Sequence, residues 1–165
     1  MAAPGIYLRL THVTQVVLSA YGAYQSYIAI TNLRTYEATT KKLAKWSNEV
    51  DRQLSRTRTT QAAGAIAVLA SVIGASILAA FGPSLPDWAR FAISPVMLIG
   101  VLFARGHIKN YWVPGDEKTG SRIPLPNMEA YNEAQRRTED LLQTLEYLEY
   151  SWVASSFIAG MVGYK

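Results

Sequence analysis

Four side chains capable of acid–base or charge chemistry stand inside or at the edge of apolar stretches: His12, Arg105, Glu146 and Glu149. Histidine exchanges a proton near neutral pH, and a glutamate can act as a base. An arginine can pair with a glutamate and stabilise an oxyanion. Because ionisable groups are costly in apolar surroundings, these four residues are candidate catalytic groups. Two structural interpretations stay open: His12 donating to a carbonyl, and Arg105 forming an ion pair that only supports packing.

Polar and aromatic side chains are predicted to lie level with these groups. Ser94 belongs to the half of the molecule that holds His12, and the others lie near Arg105. The candidate ligand-binding residues are Tyr21, Tyr24, Gln25, Ser94, Asn110, Tyr150 and Trp152. A pocket with a charged floor and aromatic walls suits a flat aromatic or lipophilic molecule with one polar end. The alternative is that the tyrosines form a belt at a membrane surface.

Composition excludes several kinds of site. The 165 residues include no cysteine and two histidines, which rules out disulfides, thiolate chemistry and a histidine-rich metal centre. The sequence has no glycine-rich phosphate loop, GxSxG or HExxH motif. We therefore expect no metal ion, no cofactor and no nucleic acid among the partners of this chain.

The candidate residues must be positioned by helices that cross a membrane. Residues 61–81, QAAGAIAVLASVIGASILAAF, carry no charge and reach the roughly 20 residues that a bilayer requires. Small residues recur at every fourth position from Ala63 to Ala79, a spacing that lets membrane helices approach closely. The other apolar stretches are 6–30, 88–107 and 144–164. The sequence predicts an all-α fold, a four-transmembrane-helix bundle, as a single domain over 1–165.

Basic residues predict how the bundle is oriented. Most of the 16 lysines and arginines fall in two segments, 32–60 and 105–147. Cytoplasmic loops of membrane proteins carry such an excess of positive charge. We therefore expect segments 32–60 and 108–143 in the cytosol, both termini in the lumen, and the endoplasmic reticulum as the membrane.

Both cytosolic segments have the periodicity of amphipathic helices that extend the spans. Residues 33–58 contain no glycine or proline, and we expect a break near Ser55–Thr60 before the second span. The second extension starts at Asn127, a helix-capping residue, and runs into the fourth span. The first extension is basic and the second acidic, which predicts that they pack together. The alternative for the basic extension is contact with anionic lipid head groups.

The first span opens with LRLTHVTQVV, a short turn joins two later spans, and the polar stretch HIKN precedes a long run into the fourth. This layout resembles the small four-helix anthrone oxygenase-like membrane proteins of fungal aromatic polyketide pathways. The resemblance implies oxidation of an anthrone without metal or flavin, and it places Asn110 in the family's asparagine-containing stretch. The topology is also similar to the membrane glutathione-transferase and leukotriene-synthase group, through the arginines of RQLSRTRTTQ before the second span.

Two classes of function follow. As an enzyme, the protein would act on a lipophilic, aromatic polyketide-like molecule, with His12 or Glu149 as the base and Arg105 beside the developing oxyanion. As an assembly subunit, it would use the 63–79 stripe to bind another membrane helix or a second copy of itself. A polar cavity between the spans favours the enzyme, and a stripe that faces lipid favours the subunit.

Overall fold

The computed structural model describes residues 4–44, 48–112 and 128–163, and nearly all of these are helical. The four α-helices are α1 (Pro4–Ala44), α2 (Asn48–Phe81), α3 (Asp87–Trp112) and α4 (Met128–Val162). A short 3₁₀ helix, Gly82–Ser84, lies between α2 and α3. After α4, Gly163 has φ of 71° and donates its N–H to the Ala159 carbonyl at 3.0 Å, the left-handed ending that glycine permits.

The helices form an antiparallel bundle arranged as a ring. Helix α1 packs against α2 and α4, and α3 closes the ring by packing against the same two helices. Arg9 contacts Ala79, and Gln15 contacts Ser155, so the start of α1 and the end of α4 lie at the end that holds the 82–84 turn. The predicted all-α fold and the predicted turn are confirmed.

Buried residues recur at alternating steps of three and four along the helices. On α1 they include Leu8, His12, Gln15, Ser19, Gly22, Ser26, Ala29, Leu33, Tyr36 and Thr40. This period of 3.5 places one seam of each helix against its neighbours, as in coiled coils. The seam changes character along its length, because it is mostly polar from His12 to Ser26 and mostly apolar from Ala29 to Tyr36.

The small residues of α2 are used largely inside the bundle. Ser71, Gly74 and Ala75 are buried. At the same seam, a Cβ atom added to Gly22 would lie 2.9 Å from Val68 Cγ1 and 3.1 Å from Thr144 Cγ2. Helices α1, α2 and α4 therefore approach one another closely at this level. The space at position 22 accommodates glycine, whose side chain is a single hydrogen atom.

The exposed surface divides into two zones. Large exposed apolar side chains occur on 6–27 of α1, 66–81 of α2, 88–103 of α3 and 147–161 of α4. We call these four segments the apolar belt. The described residues 28–44, 48–65, 104–112 and 128–146 lie beyond the belt, at the end of the bundle opposite the 82–84 turn, and we call them the polar end. In the part of the polar end whose exposure is described, no large apolar side chain is exposed.

Two of the four helical segments meet the ordinary criterion for a membrane span. The segments Val50–Ser84 and Asp87–Trp112 are long and apolar enough to cross a membrane, whereas the other described helices are not by the same measure of mean hydropathy. The reason lies in the polar seam, since the buried His12, Gln15 and Gln25 lower the mean hydropathy of α1. By length and composition, then, the structure bears out two of the four predicted spans.

At the polar end the two extensions pack together as predicted, but the first extension is not one helix, because residues 33–58 are divided between the end of α1, at Ala44, and the start of α2, at Asn48. Tyr36 of α1 lies 5.2 Å from Tyr131 of α4 between ring centroids, and Trp112 stacks on Tyr131 at 5.5 Å. Burial raises the pKa of the Tyr36 hydroxyl. Arg58 pairs with Glu37 at 2.7 Å and Arg137 with Glu133 at 2.7 Å, so these ion pairs lie within each extension.

One boundary was predicted wrongly at the polar end. The break expected near Ser55–Thr60 does not occur, because α2 is continuous from Asn48 to Phe81. The threonines of this stretch do not interrupt the helix, since Thr57 and Thr60 bond their hydroxyls to carbonyls of the preceding turn. The predicted cap Asn127 lies outside the described residues.

Candidate functional site

A chain of buried hydrogen bonds surrounds His12 and connects three helices. His12 Nδ1 lies 2.8 Å from Gln15 Oε1, and Gln15 Nε2 donates to Ser155 Oγ at 3.3 Å. Ser155 Oγ in turn donates to Ser94 Oγ at 3.3 Å. All four side chains are buried. We call this group the His12 layer; it joins α1, α4 and α3 at one height.

With Gln15 oriented as in the structure, one tautomer of His12 is favoured. Because Gln15 uses its amide nitrogen to reach Ser155, its carbonyl oxygen faces the imidazole. A carbonyl oxygen only accepts hydrogen bonds, so Nδ1 of His12 carries a proton and donates. In the neutral ring the basic nitrogen is then Nε2, which is the atom able to take up a proton.

Trp152 brings α2 into the same layer. Its side chain is fully buried, and its Nε1–H donates to Ser71 Oγ at 3.3 Å. The ring centroids of Trp152 and His12 are 6.2 Å apart. Gln15, Ser71 and Ser155 were not singled out from the sequence, although Gln15 follows His12 by three residues and so belongs to the same seam.

The His12 layer adjoins a cavity at the end of the bundle where α1 begins and α2 ends. The cavity has a volume of about 270 Å³, and its polar lining comes from Arg9, His12 and Ser84. Leu8, Leu78 and Pro83 contribute apolar wall. Arg9 donates its Nε–H to the Ala79 carbonyl at 2.9 Å. This bond holds the guanidinium against the end of α2.

Arg105 forms a second polar cluster with both candidate glutamates. Its Nη1 lies 2.8 Å from Glu149 Oε2 and its Nη2 lies 2.9 Å from Glu146 Oε2. Tyr150 also donates its hydroxyl to Glu146 at 3.2 Å. The predicted pairing of Arg105 with a glutamate is therefore present, with one guanidinium serving two carboxylates. The side chains of Arg105, Glu146 and Glu149 are 24%, 39% and 19% exposed.

The two clusters do not share one site. Ser94 belongs to the His12 layer and Arg105 to the other cluster. The two residues are separated by about 16 Å along α3 at roughly 1.5 Å per residue. Arg105 therefore cannot reach a small substrate held at His12.

The remaining predicted binding residues are dispersed. Tyr21, Tyr24 and Tyr150 face outward and are about half exposed, the placement typical of aromatic residues at a membrane interface. Asn110 is exposed at the polar end. Gln25 is buried, and its carbonyl accepts a hydrogen bond from Arg137 at 3.2 Å. The charged residues predicted to form the floor of the pocket, Arg105, Glu146 and Glu149, are thus in contact. Of the four aromatic residues predicted to form its walls, Trp152 is buried, and Tyr21, Tyr24 and Tyr150 face away from the interior.

Across the described ranges, no three histidine, aspartate or glutamate side chains are grouped closely enough to hold a metal ion. Comparison of the chain with protein-family models, with curated proteins and with solved structures gives no match.

Proposed function

We propose that this protein crosses a membrane four times and that the His12 layer binds a lipophilic small molecule and exchanges a proton with it. The main support for the proposal is the arrangement of side chains on α1, which has polar residues inside and apolar residues outside, the reverse of a helix in a soluble protein. His12 and Gln15 are fully buried, whereas Leu10, Val13 and Val17 on its other face are half or more exposed. Monomeric soluble proteins rarely expose apolar surface of this extent. Lipid around the belt accounts for the outer face and leaves the polar interior as a candidate site.

The height of the apolar belt supports four spans. On α1 the belt runs from Ile6 to Tyr27, about 32 Å at roughly 1.5 Å per residue, close to the roughly 30 Å of a bilayer core. Aromatic side chains stand near its limits, Tyr7 and Trp88 on one side and Tyr27 on the other. The buried polar side chains of the seam lower the mean hydropathy of α1, but they face the interior of the bundle and not the lipid.

The orientation proposed from the basic residues predicts a definite labelling pattern. Glycosylation acceptor sites added at either end of the chain should be modified in microsomes. An acceptor site inserted between α3 and α4 should stay unmodified, because that segment faces the cytosol. Modification of the internal site, or release of the chain by alkaline carbonate, would contradict the proposed four-span topology.

The cavity beside His12 supports acid–base chemistry on a molecule with an acidic C–H or O–H group. The Nε2 atom of His12 would take that proton while negative charge develops on the substrate oxygen beside Arg9. Return of the proton to a different substrate atom completes an isomerisation. In a cyclisation, the enolate carbon instead bonds to a carbonyl carbon of the same molecule, and the proton returns to the alkoxide oxygen that forms there. Reaction of the enolate with dioxygen is the oxidative alternative. In this proposal Arg9 stabilises the developing oxyanion, which is the role that the sequence predicted for Arg105.

Proton exchange on an anthrone tests the proposal directly. We expect the full chain in mild detergent to accelerate deuterium incorporation at the acidic carbon of 1,8-dihydroxyanthrone, measured by mass spectrometry. Because a positioned base contributes roughly 10² to 10⁴ in rate, His12→Ala should lower the exchange rate by about 100-fold or more. Dioxygen consumption in the same samples decides whether oxidation follows.

The second histidine provides the matched control. His107 is exposed and stacks on Phe103 outside the cavity, so His107→Ala should retain the exchange rate. Equal rates for the unmodified chain and His12→Ala, with both proteins folded, would remove His12 from the mechanism. Mass spectrometry of small molecules that co-purify with the chain would then identify what the bundle holds.

The alternative function, that of an assembly subunit, is supported by an apolar surface between α2 and α3. An apolar groove of about 550 Å³ there is floored in part by Ala63, Ala67 and Gly100. The stripe that the sequence suggested for helix binding nevertheless turns Ser71 and Ala75 into the bundle. The stripe is thus divided between the groove and the interior, and the polar cavity beside His12 favours the small-molecule proposal.

A further inference from the structure

We infer that a second cavity, between α1 and α2 at the polar end, binds the head group of an anionic phospholipid. Its volume is about 330 Å³, and its charged and amide lining comes from Arg34, Glu37, Arg58 and Gln61. Ile30 and Leu33 supply apolar wall. The inference rests on the membrane placement proposed above and is independent of the chemistry at His12.

The charges of the lining select a monoanion. Glu37 holds Arg58 through two bonds, Oε1 to Nε at 2.7 Å and Oε2 to Nη2 at 3.0 Å, so these two charges are paired. Arg34 adds a further positive charge, and the cavity carries one net positive charge. A phosphodiester carries one negative charge and presents oxygens to which a guanidinium can donate two hydrogen bonds.

Charge, and not Gln61, selects among head groups. The amide nitrogen of Gln61 donates to Thr138 Oγ1 at 2.7 Å, and its Oε1 is buried where a ligand does not reach it. Phosphatidylglycerol is a monoanion that matches the net positive charge of the lining, whereas the choline group of phosphatidylcholine brings a second positive charge next to Arg34.

The position of the cavity favours a lipid over a soluble phosphate compound. Tyr27 precedes the lining residues of α1, and Ile66 follows those of α2; these side chains are 69% and 67% exposed and mark the limit of the apolar belt. A lipid whose phosphate meets Arg34 can lay its acyl chains along this surface. The cavity thus lies at the depth of head groups in the proposed membrane.

Binding of defined lipids to the full chain in detergent, measured by native mass spectrometry, tests the inference. Phosphatidylglycerol should bind at least about tenfold more tightly than phosphatidylcholine. Arg34→Gln should weaken phosphatidylglycerol binding by about tenfold, because it removes the guanidinium that has no carboxylate partner within the described part of the chain. The matched control is Arg56→Gln, an exposed arginine of α2 outside the cavity lining, which should weaken binding by less than about threefold.

Equal losses for Arg34→Gln and Arg56→Gln, or equal affinities for the two lipids, would overturn the site. Equally tight binding of glycerophosphoglycerol, which lacks acyl chains, would replace the lipid with a soluble phosphodiester. His12→Ala should leave phosphatidylglycerol binding unchanged. Loss of lipid discrimination alongside the expected glycosylation pattern would refute this site alone, and an altered glycosylation pattern would refute the membrane placement.

Discussion

Gly22→Leu is expected to lower the free energy of unfolding by about 3 kcal/mol, the largest effect among the substitutions considered, because overpacking a tight core costs roughly 1–3 kcal/mol or more. A Cβ atom at this position would already lie 2.9 Å from Val68 Cγ1 and 3.1 Å from Thr144 Cγ2. Both neighbours are β-branched and have few alternative rotamers. The measurement is thermal unfolding of the full chain in mild detergent.

Gly106→Leu is the matched control for this prediction. No atom lies within 4 Å of a Cβ built at Gly106. The same substitution there should be neutral or stabilise by up to about 1 kcal/mol through helix propensity. If Gly22→Leu prevents folding, the smaller Gly22→Ala should be destabilising and Val68→Ala should partly restore it. Equal unfolding temperatures for the two leucine variants would contradict the close approach of α1, α2 and α4.

Arg105→Gln is expected to lower the free energy of unfolding by about 2 kcal/mol. The substitution leaves Glu146 and Glu149 adjacent without the guanidinium that lies 2.9 Å and 2.8 Å from them. Removal of one partner from a fully buried pair costs roughly 3–5 kcal/mol. The effect should be smaller here, because all three side chains retain contact with solvent or lipid head groups. Thermal unfolding in detergent at pH 7 gives the value.

The double variant separates charge from packing. Arg105→Gln with Glu149→Gln removes one of the two uncompensated carboxylates and the repulsion between them, so it should recover more than half of the loss. Arg56→Gln, an exposed arginine of the same charge, should change stability by less than about 0.5 kcal/mol. A double variant as unstable as the sum of its single variants would show that Arg105 stabilises the bundle by packing alone.

The long helices and their inward faces follow from local features of the sequence. The proline-containing turn at 82–86 and the steps of three and four residues can be recognised in each segment of the sequence on its own. The end of α1 at Ala44 and the start of α2 at Asn48 were not predicted, since residues 33–58 contain no glycine or proline. Charge also predicts that Arg105 meets a glutamate, since a lone guanidinium next to apolar residues needs a partner. The threonine-rich stretch 57–60 was misjudged as a break, because its hydroxyls satisfy carbonyls within the helix itself.

The amino-acid sequence by itself determined that this chain forms helices, which side of the two extensions is buried and where the turn between α2 and α3 lies. Only the tertiary structure decided which buried side chains meet: Gln15 with Ser155, Trp152 with Ser71, and Gln25 with Arg137 rather than Arg105. It also turned Tyr21 and Tyr24 outward. The physical reason is that periodicity is a property of one helix, whereas the height and rotation of its neighbours depend on close packing among all four.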